Sequence, residues 1–226
     1  MKKWENLPGD LRVDEVRKYY EILQKHKGGL FAKRVFDVVT AGILVVILSP
    51  VLLVLSILIK VDSKGPVMFR QVRITTYGKR FRIFKFRTMV NNADKIGTQV
   101  TTKGDARITR MGKILRGCRL DELPQLFNIL IGDMTFVGTR PEVEKYVEHY
   151  TNEMKATLLL PAGVTSRASI EYKDEDRLLE SAENADEVYI EQVLPEKMKY
   201  NLKAIEQFSF WGDIKTMFAT VAAVIK

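Results

Sequence analysis

The run from Val35 to Ile59 is apolar for 25 residues apart from Asp37, Thr40, Ser49 and Ser56, and it carries Ser49-Pro50 inside it. A stretch this long and this apolar places the chain at a membrane. As a straight helix it would reach about 37 Å, enough to cross a hydrocarbon core of about 30 Å. Pro50 argues against a straight helix, because proline lacks a backbone donor and clashes with the carbonyl four residues back, and in lipid a freed carbonyl finds no water. Ser49 can return a hydrogen bond to the backbone locally. The proline divides the run into stretches of about 15 and about 10 residues, each short of the roughly 20 that span. A helix, break, helix hairpin that re-enters the leaflet it came from fits better. Lys25, Lys27, Lys33 and Arg34 precede the run and Lys60, Lys64, Arg70 and Arg73 follow it, whereas a spanning helix carries a one-sided excess of Lys and Arg. Both ends are therefore expected on the cytoplasmic side. A spanning helix with a tolerated proline is the main alternative; a buried core helix would need a larger domain around it.

The charge pattern follows the same boundary. Residues 60 to 90 hold nine Lys or Arg against Asp62 alone, and the remaining 27 basic and 27 acidic residues cancel, so the net +8 sits directly after the apolar run. Such a patch attracts anionic lipid head groups, a phosphorylated substrate or nucleic acid alike. Its position favours the first two, and no nucleic acid is expected. A lone Cys118 excludes an intramolecular disulfide, and His26 and His149 give no zinc spacing with it. The charged first 34 residues and the lack of a small-residue cleavage pattern argue against a cleaved signal peptide, so the anchor is expected to be retained.

Along the rest of the chain, residues 10 to 27 suggest a short amphipathic helix before Gly28-Gly29, bound to the membrane interface or to a partner. Pro66 to Met89 reads as a β-hairpin turning at Tyr77-Gly78-Lys79. Residues 91 to 106, with Gly97 and Gly104, read as a mobile loop. Helical spacing returns at Ile108, Met111, Ile114 and Leu115, then from Leu123 to Leu130 behind Pro124, which a first turn tolerates, and again from Val143 to Leu160. The acidic stretch 171 to 196 reads as solvated helix faces. The tail, with Phe208, Phe210, Trp211, Ile214, Met217, Phe218, Val221 and Ile225, packs either on the core or at head-group depth.

The chemistry concentrates at Asp121-Glu122. Adjacent carboxylates repel unless a divalent cation or a basic partner offsets them, and hard oxygen ligands suit Mg²⁺. A carboxylate can also attack phosphorus to form an acyl phosphate, splitting one transfer into two steps. An acid pair near a helix start also serves as a cap or a partner of the helix dipole. Lys85, Arg87, Arg116, Arg119 and Arg140 supply what a diphosphate needs, since Arg forks grip two phosphate oxygens and Lys adds a point charge.

Lys33-Arg34 before an apolar run with Ser49-Pro50, Phe84-Lys85-Phe86-Arg87-Thr88-Met89, Leu120-Asp121-Glu122-Leu123-Pro124-Gln125-Leu126-Phe127-Asn128, Gly132-Asp133-Met134 and Gly138-Thr139-Arg140-Pro141 occur in this order. Together they resemble the bacterial sugar transferases, the monotopic phosphoglycosyl transferases. The match covers about Lys33 to Thr165 and, weakly, the tail. The resemblance implies a re-entrant hairpin on the cytoplasmic face of the bacterial inner membrane, and transfer of a phosphosugar from a UDP-sugar to polyprenol phosphate with Mg²⁺. It implies Asp121 as nucleophile and Glu122 as its dyad partner, both near the metal. It further implies Lys85, Arg116 and Arg140 on phosphates, with Asp213 near the site; Arg87 is a substrate-binding candidate on its own chemistry. After Thr165 the chain departs from the family pattern: Lys173 falls where many members have Arg, and the two are not equivalent at a bidentate phosphate site.

The expected architecture is an α/β, mainly helical single domain: an amino-terminal amphipathic extension (1–32), a re-entrant membrane helix (33–60) and a cytoplasmic catalytic domain (61–226), which forms a homodimer or stands alone. The alternative of another class is a non-catalytic membrane protein whose basic patch holds lipids or nucleic acid. It would leave Asp121 and Glu122 dispensable.

Overall fold

The computed structural model describes residues 1–91, 93, 105–172, 178 and 184–225. The expectations for Gly97, Gly104 and Lys173, and for the first part of the acidic stretch, lie outside the described residues.

Helix α1 (Asp14–Lys25) is amphipathic as its spacing predicts. Its apolar face does not await a membrane or a partner: Val16, Tyr19 and Leu23 are fully buried in the main core, with Tyr146, Leu159, Val193, Leu194 and Met198 around them. Burying side chains of this size contributes about 1.5–3 kcal/mol each, which is why the helix folds back onto its own domain.

Helix α2 (Lys27–Asp62) runs for 36 residues with Pro50 inside it, as one helix and not two separated by a break. Pro50 cannot bond to the carbonyl of Val46, and that carbonyl instead accepts from Ser49 Oγ at 2.8 Å. Ser56 Oγ donates likewise to Leu52 O at 2.7 Å. One face of α2 lies on the domain through Ala41, Leu55 and Ile59, while Val39, Ile43, Val46, Ile47, Leu53, Val54 and Ile57 are exposed. Among the described residues it is the one helix long and apolar enough to cross a membrane.

Both ends of α2 are fastened to the same domain. Near the start, Lys33 Nζ donates to Val137 O (2.8 Å) and Asp213 Oδ2 (2.6 Å), and Arg34 donates to Ile129 O (2.6 Å) and Leu130 O (3.1 Å). Asp37, also buried, accepts from Thr135 Oγ1 at 2.5 Å. At the far end, Arg87 reaches the carbonyls of Ile59, Ser63 and Lys64, and Asp62 accepts from Met111 N at 3.1 Å. Straight, 36 residues would extend about 54 Å, so one domain holds a long apolar rod at both ends.

The predicted hairpin is present as β1 (Met68–Ile74) and β2 (Arg80–Phe86), antiparallel with Met68 opposite Phe86 and Ile74 opposite Arg80. Tyr77 (φ 58°) and Gly78 (φ 74°) make its turn. Helix α3 (Arg110–Gly117) begins at Thr109, whose side chain caps Gly112 N. Helix α4 (Gln125–Ile131) starts after Pro124 and ends at Gly132 (φ 93°), close to the predicted bounds. Strand β3 (Met134–Val137) pairs in parallel with β4 (Ala162–Thr165).

The helix expected from Val143 to Leu160 is instead α5 (Glu144–Val147) and a 3-10 segment, Met154–Leu159. Thr151 explains the interruption: its Oγ1 accepts from Met154 N at 3.3 Å, a local bond that competes with helix continuation. Beyond β4 lie α6 (Arg167–Glu171), α7 (Ala185–Val188), a π-helical turn over Tyr189–Val193, α8 (Leu194–Glu206) and α9 (Phe210–Ile225). The later part of the acidic stretch is solvated on one side only. Glu187 and Glu191 are exposed, whereas Tyr189, Val193 and Leu194 are buried. The tail divides as well: Phe208 is in the core, while Trp211, Phe218 and Val221 are exposed on α9.

Candidate active site

Asp121 and Glu122 sit on a 3-10 turn, Leu120–Glu122, between α3 and α4. Arg119 makes the turn possible by adopting φ 53°, a left-handed conformation that costs a residue with a Cβ about 1–2 kcal/mol. Leu120 and Leu123 on either side of the acids pack against Leu55, Ile59, Phe86 and Leu115. The acid pair is thus seated on the far end of α2.

The two carboxylates have opposite surroundings. Glu122 Oε1 accepts from Lys85 Nζ of β2 at 3.0 Å and from Arg140 Nη2 at 2.8 Å. Burial alone would raise the Glu122 pKa, but Arg140 and Lys85 outweigh it and hold the carboxyl down at about 2. The Asp121 carboxylate has no side-chain hydrogen-bond partner among the described residues. Burial raises its pKa, and the neighbouring Glu122 adds to this against the pull of Lys85 and Arg116. Lys85 is shifted down by burial and by Arg140, against the pull of Glu122. One acid is a clamped anion; the other is a half-buried carboxylate with its oxygens unspent.

Arg116 faces the pair from α3, with its Nε donating to Thr88 Oγ1 at 2.9 Å. Gly112 permits that approach, since a Cβ there would lie 2.0 Å from Thr88 O. Arg140 is delivered from the other side by a second tight crossing. A Cβ on Gly163 would meet Gly138 N at 2.2 Å, and Gly138 N and Gly163 N donate to Thr165 O (2.9 Å) and Thr139 O (2.8 Å). The glycines at these crossings let the backbones that carry Arg116 and Arg140 close around the acids.

The structure thus brings together Asp121, Glu122, Lys85, Arg116 and Arg140. Arg87 has other partners: it is buried and donates to Ser63 O (2.7 Å), Lys64 O (2.9 Å) and Ser63 Oγ (2.9 Å), closing the end of α2 and not the phosphate-facing side. Asp213 pairs with Lys33 in a cavity of about 60 Å³, lined also by Gly138, Arg167, Phe208 and Thr139, the last of which directly precedes Arg140 in the chain. Lys33 and Arg34 face the domain, not the lipid. Ser49 and Pro50 lie on α2 as described.

No cluster of three or more acid, His or Cys side chains occurs among the described residues. Two adjacent carboxylates nevertheless suit Mg²⁺, which commonly takes one or two carboxylates and completes its shell with substrate phosphates. The open Asp121 oxygens fit that role.

A sequence model of the family described as bacterial sugar transferase matches residues 28–226. The chain belongs to the bacterial sugar transferase family. It is 35% identical over 198 residues to a UDP-N-acetylgalactosamine-undecaprenyl-phosphate N-acetylgalactosaminephosphotransferase of Aeromonas hydrophila, covering 86% of this chain and 44% of that one. It is 37% identical over 195 residues to a UDP-glucose:undecaprenyl-phosphate glucose-1-phosphate transferase of Klebsiella pneumoniae, covering 84% and 39%. A protein of that same name from Caulobacter vibrioides is 35% identical over 196 residues, covering 85% and 69%. This sugar transferase chain spans about two fifths of the length of the first two.

Several contacts that build the site escape a reading of the sequence. Asn128, fully buried, accepts from Phe84 N (2.8 Å) and donates to Arg82 O (3.0 Å), tying α4 to β2. Thr88 orients Arg116. The Lys33–Asp213 pair spans 180 positions in sequence, so only a contact map could have found it.

Proposed function

We propose that this chain transfers a phosphosugar from a UDP-sugar to polyprenol phosphate through a covalent intermediate on Asp121. The observation that carries the reading is the division of labour between the two acids: Glu122 is clamped by Lys85 and Arg140 while Asp121 keeps its carboxylate free. Substrate and acceptor classes come from the names of the relatives.

In the first step an Asp121 oxygen attacks the β-phosphorus of the UDP-sugar. The bond from that phosphorus to the bridging oxygen breaks, and UMP leaves with the oxygen and its electron pair. In the second step an oxygen of polyprenol phosphate attacks the same phosphorus, the acyl-phosphate bond breaks, and Asp121 returns as a carboxylate with polyprenyl diphosphosugar as product. Bound Mg²⁺, held by Asp121 and Glu122 with the substrate phosphates, would neutralise charge on the diphosphate. Lys85, Arg116 and Arg140 are fixed cations around the same phosphorus, and preorganised charge of this kind supplies most of the rate in phosphoryl transfer. Glu122 holds Lys85 and Arg140 in register until phosphate oxygens compete for them.

The membrane segment is proposed to enter and leave one leaflet on the cytoplasmic side. Its support is that Lys33–Asp37 at one end and Ile59–Asp62 at the other are bonded to the same domain. A helix crossing the bilayer would put those ends on opposite sides. The exposed apolar face of α2 then meets acyl chains, and the site on its far end meets the phosphate of the polyprenol.

The deciding experiment mixes purified protein with UDP-sugar and Mg²⁺ but no acceptor. Up to one equivalent of UMP should appear, and the peptide containing Asp121 should gain the mass of a phosphosugar. An active enzyme that releases UMP only when polyprenol phosphate is added, and never shows the adduct, transfers in a single step.

A further inference from the structure

The loop that presents Arg140 is fixed at both ends by backbone bonds. Thr139 O accepts from Gly163 N at 2.8 Å, and two residues beyond Arg140 the carbonyl of Glu142 accepts from Ile74 N of β1 at 3.0 Å. Arg73, also on β1, donates to Pro141 O at 3.2 Å. The Glu142 side chain turns away from solvent, 7% exposed, and its Oε1 accepts from Tyr189 Oη at 2.6 Å. Tyr189 is in turn approached by Lys197 Nζ, 3.3 Å from the hydroxyl, and its ring lies 4.5 Å from that of Tyr146.

These contacts pin the chain on both sides of Pro141, the residue after Arg140. Lys197 reaches Glu142 through Tyr189, and burial disfavours the charge on Arg73, which Glu142 offsets and Arg140 worsens. Like charges in a poorly hydrated interior repel strongly unless an anion sits between them. Glu142 is that anion for Arg73, and Tyr189 of the π-helical turn keeps it in place.

We propose that Glu142, held by Tyr189 and Lys197, is a positioning residue that aims Arg140 at the reacting diphosphate. The clamp comes from the π-helical turn and α8, more than 45 residues beyond Arg140 in the sequence. It gives the segment over Tyr189–Glu206 a task in the reaction without any contact with substrate. The inference rests on the phosphosugar-transfer reading above.

The test is Tyr189→Phe, which removes the hydroxyl and keeps the ring, measured as steady-state UMP release with UDP-sugar, polyprenol phosphate and Mg²⁺. In the otherwise native protein kcat/KM should fall about tenfold, while in an Arg140→Lys background the same change should cost less than about twofold, because residues acting through one partner are not additive. Equal losses in the two backgrounds, or no loss in the native background, overturn the proposal. Glu142→Gln is the second variant, and it should share the coupling to Arg140. Thermal melting of each variant separates loss of fold from loss of aim: a purely structural role lowers the melting temperature and the active fraction but leaves the KM for UDP-sugar where it was. Failure of the native protein to release UMP from any UDP-sugar would defeat the underlying reading instead, and would be visible before any variant is made.

Discussion

Ser49 Oγ stands 2.8 Å from the carbonyl oxygen of Val46, the acceptor that Pro50 leaves without a backbone donor. The serine and the proline therefore act as a unit: one opens the hydrogen-bond ladder and the other closes it from the side chain. Ser49→Ala should expose the Val46 carbonyl to lipid at a cost of about 1 kcal/mol. The check is a lower melting temperature in detergent or nanodiscs, with turnover per folded molecule unchanged.

Pro50→Ala supplies the missing N–H and should straighten α2. Single cysteines at Lys27 and Lys64, in a Cys118→Ser background, should both label from the cytoplasmic side in the native sequence. Labelling of the Lys27 position from outside would establish a spanning helix. In the Pro50→Ala protein a straighter helix should shift one of the two positions toward protection or inversion, with loss of the bonds from Lys33 and Arg34 to the domain and a drop in activity.

Arg87 should be required for the fold more than for the reaction. It donates to the carbonyls of Ile59, Ser63 and Lys64 at the end of α2, and a lysine can serve only some of these acceptors. Arg87→Lys should cost about 2–3 kcal/mol, in the range for a buried charge-assisted network that loses partners. Folded protein recovered from the variant should keep the native KM for UDP-sugar. A KM raised without any loss of stability would return Arg87 to the substrate.

How much of this was legible in the sequence differs by element. The β1–β2 hairpin, α3 and α4 announce themselves through local signals: alternation around Tyr77-Gly78, the helical spacing of Ile108, Met111, Ile114 and Leu115, and Pro124 in a first turn. The acid pair, Lys85 and Arg140 stand out in an ordered set of motifs, and Arg116 as a cation just upstream of the acids. What the sequence could not reveal depends on contacts between distant segments. Arg87 lies two residues from Lys85 and shares its motif, yet Lys85 reaches Glu122 whereas Arg87 turns to the end of α2. The amphipathic face of α1 looks the same whether it meets lipid, a partner or its own core. Tyr189 lies in a stretch whose acidity dominates its reading, and only the fold shows that the opposite face is buried.

The two acids should respond to pH and to amide substitution with opposite signs. Glu122 has its pKa depressed from 4.5 to about 2, so its ion pairs stabilise the fold fully above its ordinary pKa, and that contribution is lost as the pH falls toward 2. Glu122→Gln leaves Lys85 and Arg140 without their anion and should destabilise by about 2 kcal/mol at neutral pH. Asp121 has its pKa raised, chiefly by burial. Its folded state favours the neutral carboxyl, a preference that stabilises below the ordinary carboxylate pKa and is lost as the pH rises through the raised value, so at neutral pH the ionised group is a cost. Asp121→Asn removes that cost. With EDTA present to exclude divalent ions, Asp121→Asn should melt higher than the native protein at pH 7, the difference closing as the pH is lowered, while the phosphosugar adduct disappears. A lower melting temperature for Asp121→Asn at pH 7 would mean that the native carboxylate is stabilised by a partner, and the assignment of Asp121 as the free nucleophile would then fail.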